Sequence, residues 1–467
     1  MKTKTDFCFC PVEYSKKISE CNSGEIVAKG ETRYLLMRAP DLAEKEKELF
    51  CEVLQEIKQS RTEILGKKDV YFFLKNYCLE NMILLNKEQR EKILLLLEWE
   101  SIQESILTPL IKDPEFEEIV INGPRKPVMV YHRIFGWLTT NAQFESEDRI
   151  RTVINRLASP LGRQLTYHTP LLNAVLADGS RLNACMNPVA FSGINATIRK
   201  FKENPLTPVD LVDYGTISRE AMAFLWMAMQ TSCSILICGN TGSGKTTTLN
   251  ALFCFLPREE RIVAAEETPE LVLPQNHTIK LNTAEQVNVT LGKLIENTFR
   301  MRPDRVIVGE IRTKHEAGAF INTMLAGQAK GSYATFHAES GEEAVQRMES
   351  FGIDKRTMAS LDLIVVQKRL SIIEENSRKE IRKVTEISEI AKTSNGIKLE
   401  KLFEYNFEKK RLERVKKSKR VTQKICRAYS KNEEEIEKET AKKEALLEKL
   451  KGIAGFGEFY ELAEREK

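Results

Sequence analysis

The sequence predicts an α/β protein: a mainly parallel sheet covered on both faces and carrying a phosphate-binding loop, preceded by a smaller α/β domain, with helical N-terminal and C-terminal extensions. Three observations predict it. The run SILICGNTGSGKTTTLNAL, Ser234 to Leu252, sets G-x-x-x-x-G-K-[ST] between a short apolar strand and a helix. Strand-like and helical patterns alternate over residues 206–395, as they do where helices cover both faces of a parallel sheet. A second set of alternating strands, with one helix, occupies residues 107–201.

At 467 residues the chain exceeds a single hydrophobic core. Changes of pattern divide it into an N-terminal, largely helical extension over 1–100, a small α/β domain over 101–205, a P-loop domain over 206–395, and a strand plus charged helical tail over 396–467. Hydrophobic content of 42% against 30% charged residues is that of a globular protein, and a net charge of +4 does not mark a nucleic-acid binder. The longest apolar runs, Ile93–Leu97 and Leu363–Val366, are far too short to span a membrane. The N-terminal MKTKTDFCFCPVEY has no apolar h-region for export, so any membrane role is expected to come through a partner. Ten cysteines read as reduced thiols, and the cluster Cys8, Cys10 and Cys21 lacks the paired spacing of a zinc ribbon.

Taken in order, Leu42–Ile64 and Lys87–Glu100 carry helical periodicity with charged outer faces. Glu117–Gly123 and Pro127–Leu138 read as two strands joined through Asn122-Gly123, followed by a helix over Glu147–Leu157. Leu172–Met186 and Ile194–Phe201 are further strands, the first turning at Asp178-Gly179, and Pro205 and Pro208 punctuate a short hinge before a helix over Arg219–Met229. In the P-loop domain the expected strands are Ser234–Cys238, Arg261–Ala265, Arg305–Val308, Ser332–Phe336 and Leu361–Val366. The helices between them are Lys245–Phe255, Val289–Arg300, Thr313–Leu325 and Glu342–Ser350, and Val384–Ile390 and Ile397–Tyr405 follow as strands. The tail from Lys409 opens with a basic block ending at Arg420, then a helical stretch over Glu433–Lys451. It reads first as a solvated face and second as a surface for anionic membrane headgroups.

In the loop, Gly239, Asn240, Thr241, Gly242, Ser243 and Gly244 let the backbone curl so that successive N–H groups face phosphate oxygens. The helix start at Lys245, Thr246 and Thr247 adds partial positive charge at the same spot. Lys245 is expected to reach the β- and γ-phosphates of ATP, and the Thr246 hydroxyl to take one position on Mg²⁺. Hydrolysis further requires carboxylates and added positive charge. Arg261–Leu273 ends a strand in Glu266, Glu267 and Glu270; Arg300–Arg312 runs a strand out to Glu310 and closes on Arg312; Gly331–Ser340 closes a strand on His337. The strand ends and the loop share the carboxyl side of the sheet. Taken singly, a carboxylate at a strand end is often only solvated, and a lone histidine is more often structural. His315-Glu316 is no zincin motif because residue 319 is Ala319.

GNTGSGKTT, AEETPEL, MRPDRVIVGEIR and ATFHAES, in this order and spacing, resemble the Walker A, Asp box, Walker B and His box of the secretion ATPases that serve type II and type IV secretion, pilus assembly and archaellum motors. The likeness extends upstream through EEIVING, GWLTTN, DGSRLN and TIRKF, covers residues 107–395, and is closest in wording to archaeal and type IV secretion members. The resemblance implies a RecA-like P-loop NTPase domain and a small domain, with ATP between them, in a homohexameric ring. Closure would drive work on an integral-membrane platform protein from the cytoplasmic, inner face of the cell membrane. It implies that Glu310 polarises water or holds the metal's hydration shell, that Glu266 and Glu267 help set up water and Mg²⁺, and that Arg181 and Arg199 reach the phosphates on closure.

Three departures stand out. Glu267 occupies the place of the family's usual Asp, Gln328–Ser332 replace an upstream histidine, and the four-cysteine zinc module of the type II branch is absent. A DNA-translocating ATPase is the first competing reading, but the basic block has almost no aromatic residues for base stacking, so no dedicated nucleic-acid site is evident. A nucleotide-gated, non-hydrolysing scaffold is the second, and intact Lys245, Thr246 and Glu310 count against it.

Overall fold

The computed structural model describes residues 7–10, 12–30, 32–38, 40–60, 66–200, 205–284, 287–327, 329–374, 377–394, 396–452 and 455–465. The chain divides into two compact units, Met1–Phe201 and Lys202–Lys467.

The first unit contains β1 (Phe7–Phe9), β2 (Lys16–Cys21), β3 (Gly24–Lys29), β4 (Thr32–Met37), α1 (Glu44–Gln59), α2 (Lys67–Glu80), α3 (Lys87–Ser101), α4 (Thr108–Lys112), β5 (Phe116–Asn122), β6 (Pro127–His132), β7 (Gly136–Phe144), α5 (Glu147–Ala158), β8 (Leu171–Val175), β9 (Arg181–Cys185) and β10 (Asn195–Arg199). Among the described residues its strands form one sheet in the order β2-β3-β4-β7-β6-β5-β10-β9-β8, with β1 pairing β7. The extension expected over 1–100 is therefore not separate. β4 runs parallel to β7, and Val53, Ile93 and Leu97 share one core with Phe116, Ile119 and Ile150. The strands of residues 7–37 escaped the sequence reading because each is six residues or fewer, too short for a period-two signal to stand out. The helix expected over Leu42–Ile64 runs as α1 to Gln59, and residues 61–65 of it lie outside the described residues.

The single strand expected over Pro127–Leu138 is two. The chain turns at 133–135, where His132 Nδ1 accepts the N–H groups of Ile134 (3.0 Å) and Phe135 (3.3 Å). Gly136 then takes a left-handed φ of 71°, which only glycine adopts without strain.

The second unit contains α6 (Pro208–Asp213), α7 (Arg219–Met229), β11 (Ile235–Cys238), α8 (Lys245–Phe253), β12 (Ile262–Glu266), β13 (Thr278–Asn282), α9 (Leu291–Thr298), β14 (Arg305–Ile311), α10 (Lys314–Leu325), β15 (Gly331–Phe336), α11 (Gly341–Ser350), α12 (Lys355–Met358), β16 (Leu363–Glu374), β17 (Ser377–Thr393), β18 (Gly396–Asn406), β19 (Arg411–Arg414), α13 (Arg420–Tyr429), α14 (Glu433–Lys449) and α15 (Phe456–Arg465). Its sheet runs β13-β12-β14-β15-β11-β16-β17-β18-β19. It is parallel from β13 to β16 and antiparallel beyond. Both faces are buried: Ile235, Ile237, Ala264 and Ile307 pack on one side with α7 and α8. Leu236, Cys238, Val306 and Val308 pack on the other with α9 and α10. That two-sided burial explains the continuous apolar runs in the sequence.

The tail is part of this unit. Leu402, Val421, Ile436, Leu447 and Phe459 belong to the same core as Trp226 and Phe255. Trp226 stacks on Phe255 at 4.4 Å between ring centroids, and Lys443 Nζ lies 4.9 Å from the Trp226 ring centroid. The basic block is largely matched by carboxylates of its own unit: Lys409 and Arg411 with Glu413, Arg414 with Glu220, Lys416 with Glu400, Lys417 with Glu437, and Arg420 with Asp362. The helix over Glu433–Lys449 keeps the solvated charged face expected of it and buries Ile436 and Leu447 in the core that includes α7. Among the described residues no helix is long and apolar enough to cross a membrane.

Leu447→Ala is expected to lower the unfolding free energy of the chain by about 2–4 kcal/mol, the cost of a buried leucine truncation. Chemical denaturation checks this. A change below about 0.5 kcal/mol, normal for a surface site, would mean that Leu447 is not packed in the core.

Candidate functional site

β11 is buried along its whole length and delivers the chain into the phosphate loop at Gly239. A Cβ at Gly239 would stand 2.0 Å from the Gln367 carbonyl oxygen, so the loop can lie against β16 only without a side chain there. Gly242 and Gly244 take φ of 72° and 92°, the left-handed region that favours glycine. α8 starts at Lys245, and its first intrahelical acceptor is used by Thr248, whose N–H meets the Gly244 carbonyl at 2.9 Å. The N–H groups of Lys245, Thr246 and Thr247 have no acceptor within the helix and form its positive end. Lys245 is 7% exposed. Its Nζ donates to the carbonyls of Gly239 (3.1 Å) and Asn240 (3.2 Å) and stands 3.8 Å from Glu310 Oε1. Burial holds its pKa below the usual lysine range.

Glu310 reaches the same place from β14. Its Oε1 meets His337 Nε2 at 2.9 Å, and its Oε2 accepts from Arg312 Nε at 2.6 Å. Arg312 also bridges to Glu267. Burial, with Lys245 next, pushes the His337 pKa below the usual histidine range. Glu316 fixes the turn after β14, accepting from the Arg312 N–H at 2.7 Å and the Thr313 N–H at 3.0 Å.

The two glutamates of the Asp-box segment part company. Glu267 is at the surface, on Arg312. Glu266, at the end of β12, is 2% exposed; its Oε1 accepts the N–H groups of Glu270 (2.8 Å) and Leu271 (3.0 Å). Its Oε2 is buried and has no hydrogen-bond partner among the described residues. Burial pushes this carboxyl up to about 7. It packs beside Glu310's neighbour, since a Cβ at Gly309 would lie 3.2 Å from Glu266 Cγ.

Lys245, Glu310, Arg312, His337 and Glu267 thus form one connected group, with Glu266 against its edge. Arg181 and Arg199 belong to the first unit, where they are directly opposed on β9 and β10, Arg199 being exposed. Gln328 lies outside the described residues, as does the side chain of Cys8, while Cys21 is a buried free thiol. Sequence reasoning missed Gln367, Arg369 and Arg382, which touch the loop from β16 and β17. The sole hint was a polar glutamine directly after the apolar run Leu363–Val366.

A triphosphate with Mg²⁺ fits these residues. The loop turns through Gly242 and Gly244 at left-handed φ, Glu266 keeps a buried carboxylate oxygen without a hydrogen-bond partner among the described residues, and the donors, the Thr246 hydroxyl and the Glu310 and Glu266 carboxylates, are oxygens suited to a hard cation. Among the described residues no group of three His, Cys, Asp or Glu could hold a metal alone. Mg²⁺ would accordingly share its coordination with phosphates and water.

A phosphate loop between β11 and α8, with β15 separating β11 from the glutamate-bearing β14, defines a P-loop NTPase domain of RecA-like order. The family described as type II/IV secretion system protein matches residues 101–457, and the chain belongs to it. An uncharacterized protein of Methanocaldococcus jannaschii is 34% identical over 358 residues, which make up 75% of this chain and 64% of that protein, so the chain spans less than two thirds of this relative. The type IV secretion system protein VirB11 of Bartonella quintana is 29% identical over 280 residues, 52% of this chain and 78% of its own. The solved ATPase DotB of Legionella pneumophila matches with a TM-score of 0.43 and 15% identity, over 76% of this chain and 93% of that one.

Glu266 makes stability depend on pH with a definite sign. Its folded pKa of about 7 lies above the ordinary 4.5, so the stability it contributes is complete below pH 4.5 and is lost as pH rises toward 7 and beyond, by up to about 3 kcal/mol. Glu266→Gln should lack that slope. Denaturation midpoints measured at pH 5 and pH 8 should show the variant gaining on wild type at the higher pH; parallel pH profiles would contradict the raised pKa.

Proposed function

We propose that this protein is a Mg²⁺-dependent ATPase that powers protein secretion or assembly of a type IV pilus-like filament, working as a homohexameric ring. It would sit at the cytoplasmic face of the cell membrane, on an integral-membrane platform protein. The observation that carries the reading is the meeting of Lys245 and Glu310 at 3.8 Å, with His337 and Arg312 fixing the carboxylate. Family membership and the name of the VirB11 relative support the secretion setting.

In this reading the loop N–H groups and Lys245 bind the β- and γ-phosphates, and Thr246 would hold Mg²⁺ together with water-bridged Glu310. When bound, the metal supplies charge neutralisation across the phosphate oxygens. Lys245 exchanges its two loop carbonyls for phosphate oxygens, which need its charge more. Glu310 is clamped through both oxygens and orients the attacking water. The water oxygen bonds to the γ-phosphorus as the bond from that phosphorus to the β–γ bridging oxygen breaks, giving ADP and phosphate. The water's proton passes to solvent or to a carboxylate, and Glu266, with a pKa near 7, is matched to hold it briefly. Arg181 and Arg199 would add positive charge at the phosphates when the small domain closes, coupling motion to chemistry.

Steady-state phosphate release with Mg²⁺, measured against protein concentration, tests this. Wild type is expected to turn over faster per subunit as it assembles. Glu310→Gln should lose at least about a hundredfold in kcat while retaining ATP binding, and Arg199→Ala should lose turnover without losing assembly. A wild type that binds ATP but stays inactive at every concentration would overturn the motor reading in favour of a nucleotide-gated scaffold. Stimulation by duplex DNA would favour a DNA translocase instead.

A further inference from the structure

The phosphate loop is braced from outside by the hairpin of β16 and β17, at three points. Gln367, 1% exposed, donates its Nε2–H to the Ser243 carbonyl at 2.8 Å, while its Oε1 accepts from the Thr248 hydroxyl of α8. Arg382 donates its Nε–H to the Gly242 carbonyl at 2.9 Å. Asn240 Oδ1 accepts the Arg369 N–H at 3.1 Å, which latches the loop to the strand itself.

Arg369 and Arg382 are directly opposed across the two strands, an arrangement that is repulsive unless each cation has its own task. They divide the work. Arg369 pairs with Glu380, its Nε 3.0 Å from Oε2, and Arg382 is turned to the loop.

The direction of these bonds matters. In a trans peptide the C=O and the following N–H point in opposite directions, and among the described residues the one cis bond is Asn187-Pro188. A donor on the Ser243 carbonyl therefore aims the Gly244 N–H away from the hairpin, toward the concave side of the loop. A donor on the Gly242 carbonyl does the same for the Ser243 N–H, which closes the loop on the Asn240 carbonyl at 3.2 Å. Hydrogen bonds in series polarise one another, so each outer donor makes the inner N–H more positive.

We propose that Gln367 and Arg382 are positioning residues of the phosphate loop: by donating to its outward carbonyls they orient and polarise the N–H groups that take a nucleotide's β-phosphate, and so set the affinity for nucleoside di- and triphosphates. This rests on the reading of the loop as an ATP site. Each acts through the loop carbonyl it donates to. The same bonds tie the loop to β17 and through it to β18, β19 and the C-terminal helices.

The test is direct binding of ADP, ATP and AMP to the full-length chain, with Gln367→Met, Arg382→Met and Arg382→Lys beside wild type, together with the thermal midpoint of each. Gln367→Met and Arg382→Met should weaken ADP and ATP by about ten- to a hundredfold, as expected for a lost buried or charged hydrogen bond, and leave AMP unchanged. Arg382→Lys should be intermediate, since the charge remains but the Nε–H is gone. Arg382 is exposed, so Arg382→Met should keep the wild-type thermal midpoint, which separates positioning from loss of fold. If wild type binds ADP and ATP and both methionine variants bind within twofold of it, or lose AMP equally, this inference is overturned while the ATP site stands. A wild type that binds no nucleotide overturns both.

Discussion

Lys245 is an ammonium group inside a protein, and a buried charge is tolerated only where its neighbours compensate it. Two carbonyls of its own loop and the Glu310 carboxylate do so, and the rest of the domain can be read as the means of assembling that compensation. β14 and β11 are not neighbours, so β15 between them must end where His337 can join both. Strand order, more than any local motif, creates the site. The same group sets cations against carboxylates: Lys245 and Arg312 against Glu310 and Glu267, with the His337 ring against Glu310. On the proposed function, a polyphosphate entering there would change that balance at once.

The second theme is mechanical. The loop is enclosed on one side by the parallel sheet and on the other by the antiparallel extension β16 to β19, whose outer helices pack on α7. The C-terminal region is consequently continuous with the phosphate loop through paired strands. The basic block of the tail serves this packing, since its charges are largely matched within the unit.

The central sheet was legible in the sequence because its strands are buried on both faces, so β11, β12 and the Val306–Val308 part of β14 appear as apolar runs, while β15, GSYATF, is mixed. Glu310 and His337 could be expected near the loop because each stands at the carboxyl end of its strand, where the structure brings the two side chains together. β13, exposed along much of its length, left no such run. The β2–β4 strands are short, and their burial depends on β7, over a hundred residues away in sequence. Gln367 and Arg382 were invisible because their role is a backbone contact with a loop about 120 to 140 residues upstream, and nothing in their local pattern records it. The choice between Glu266 and Glu267 likewise needed burial, which adjacent identical residues cannot reveal.

The loop lysine and the β14 carboxylate form one electrostatic unit, and His337 reads it out. The pKa of the His337 ring, followed by NMR across pH and assigned with His337→Gln, measures it directly. The wild-type value is expected below the free histidine range, rising when Lys245→Ala removes the neighbouring cation. A value at or above the free histidine range, unmoved by Lys245→Ala, would contradict it.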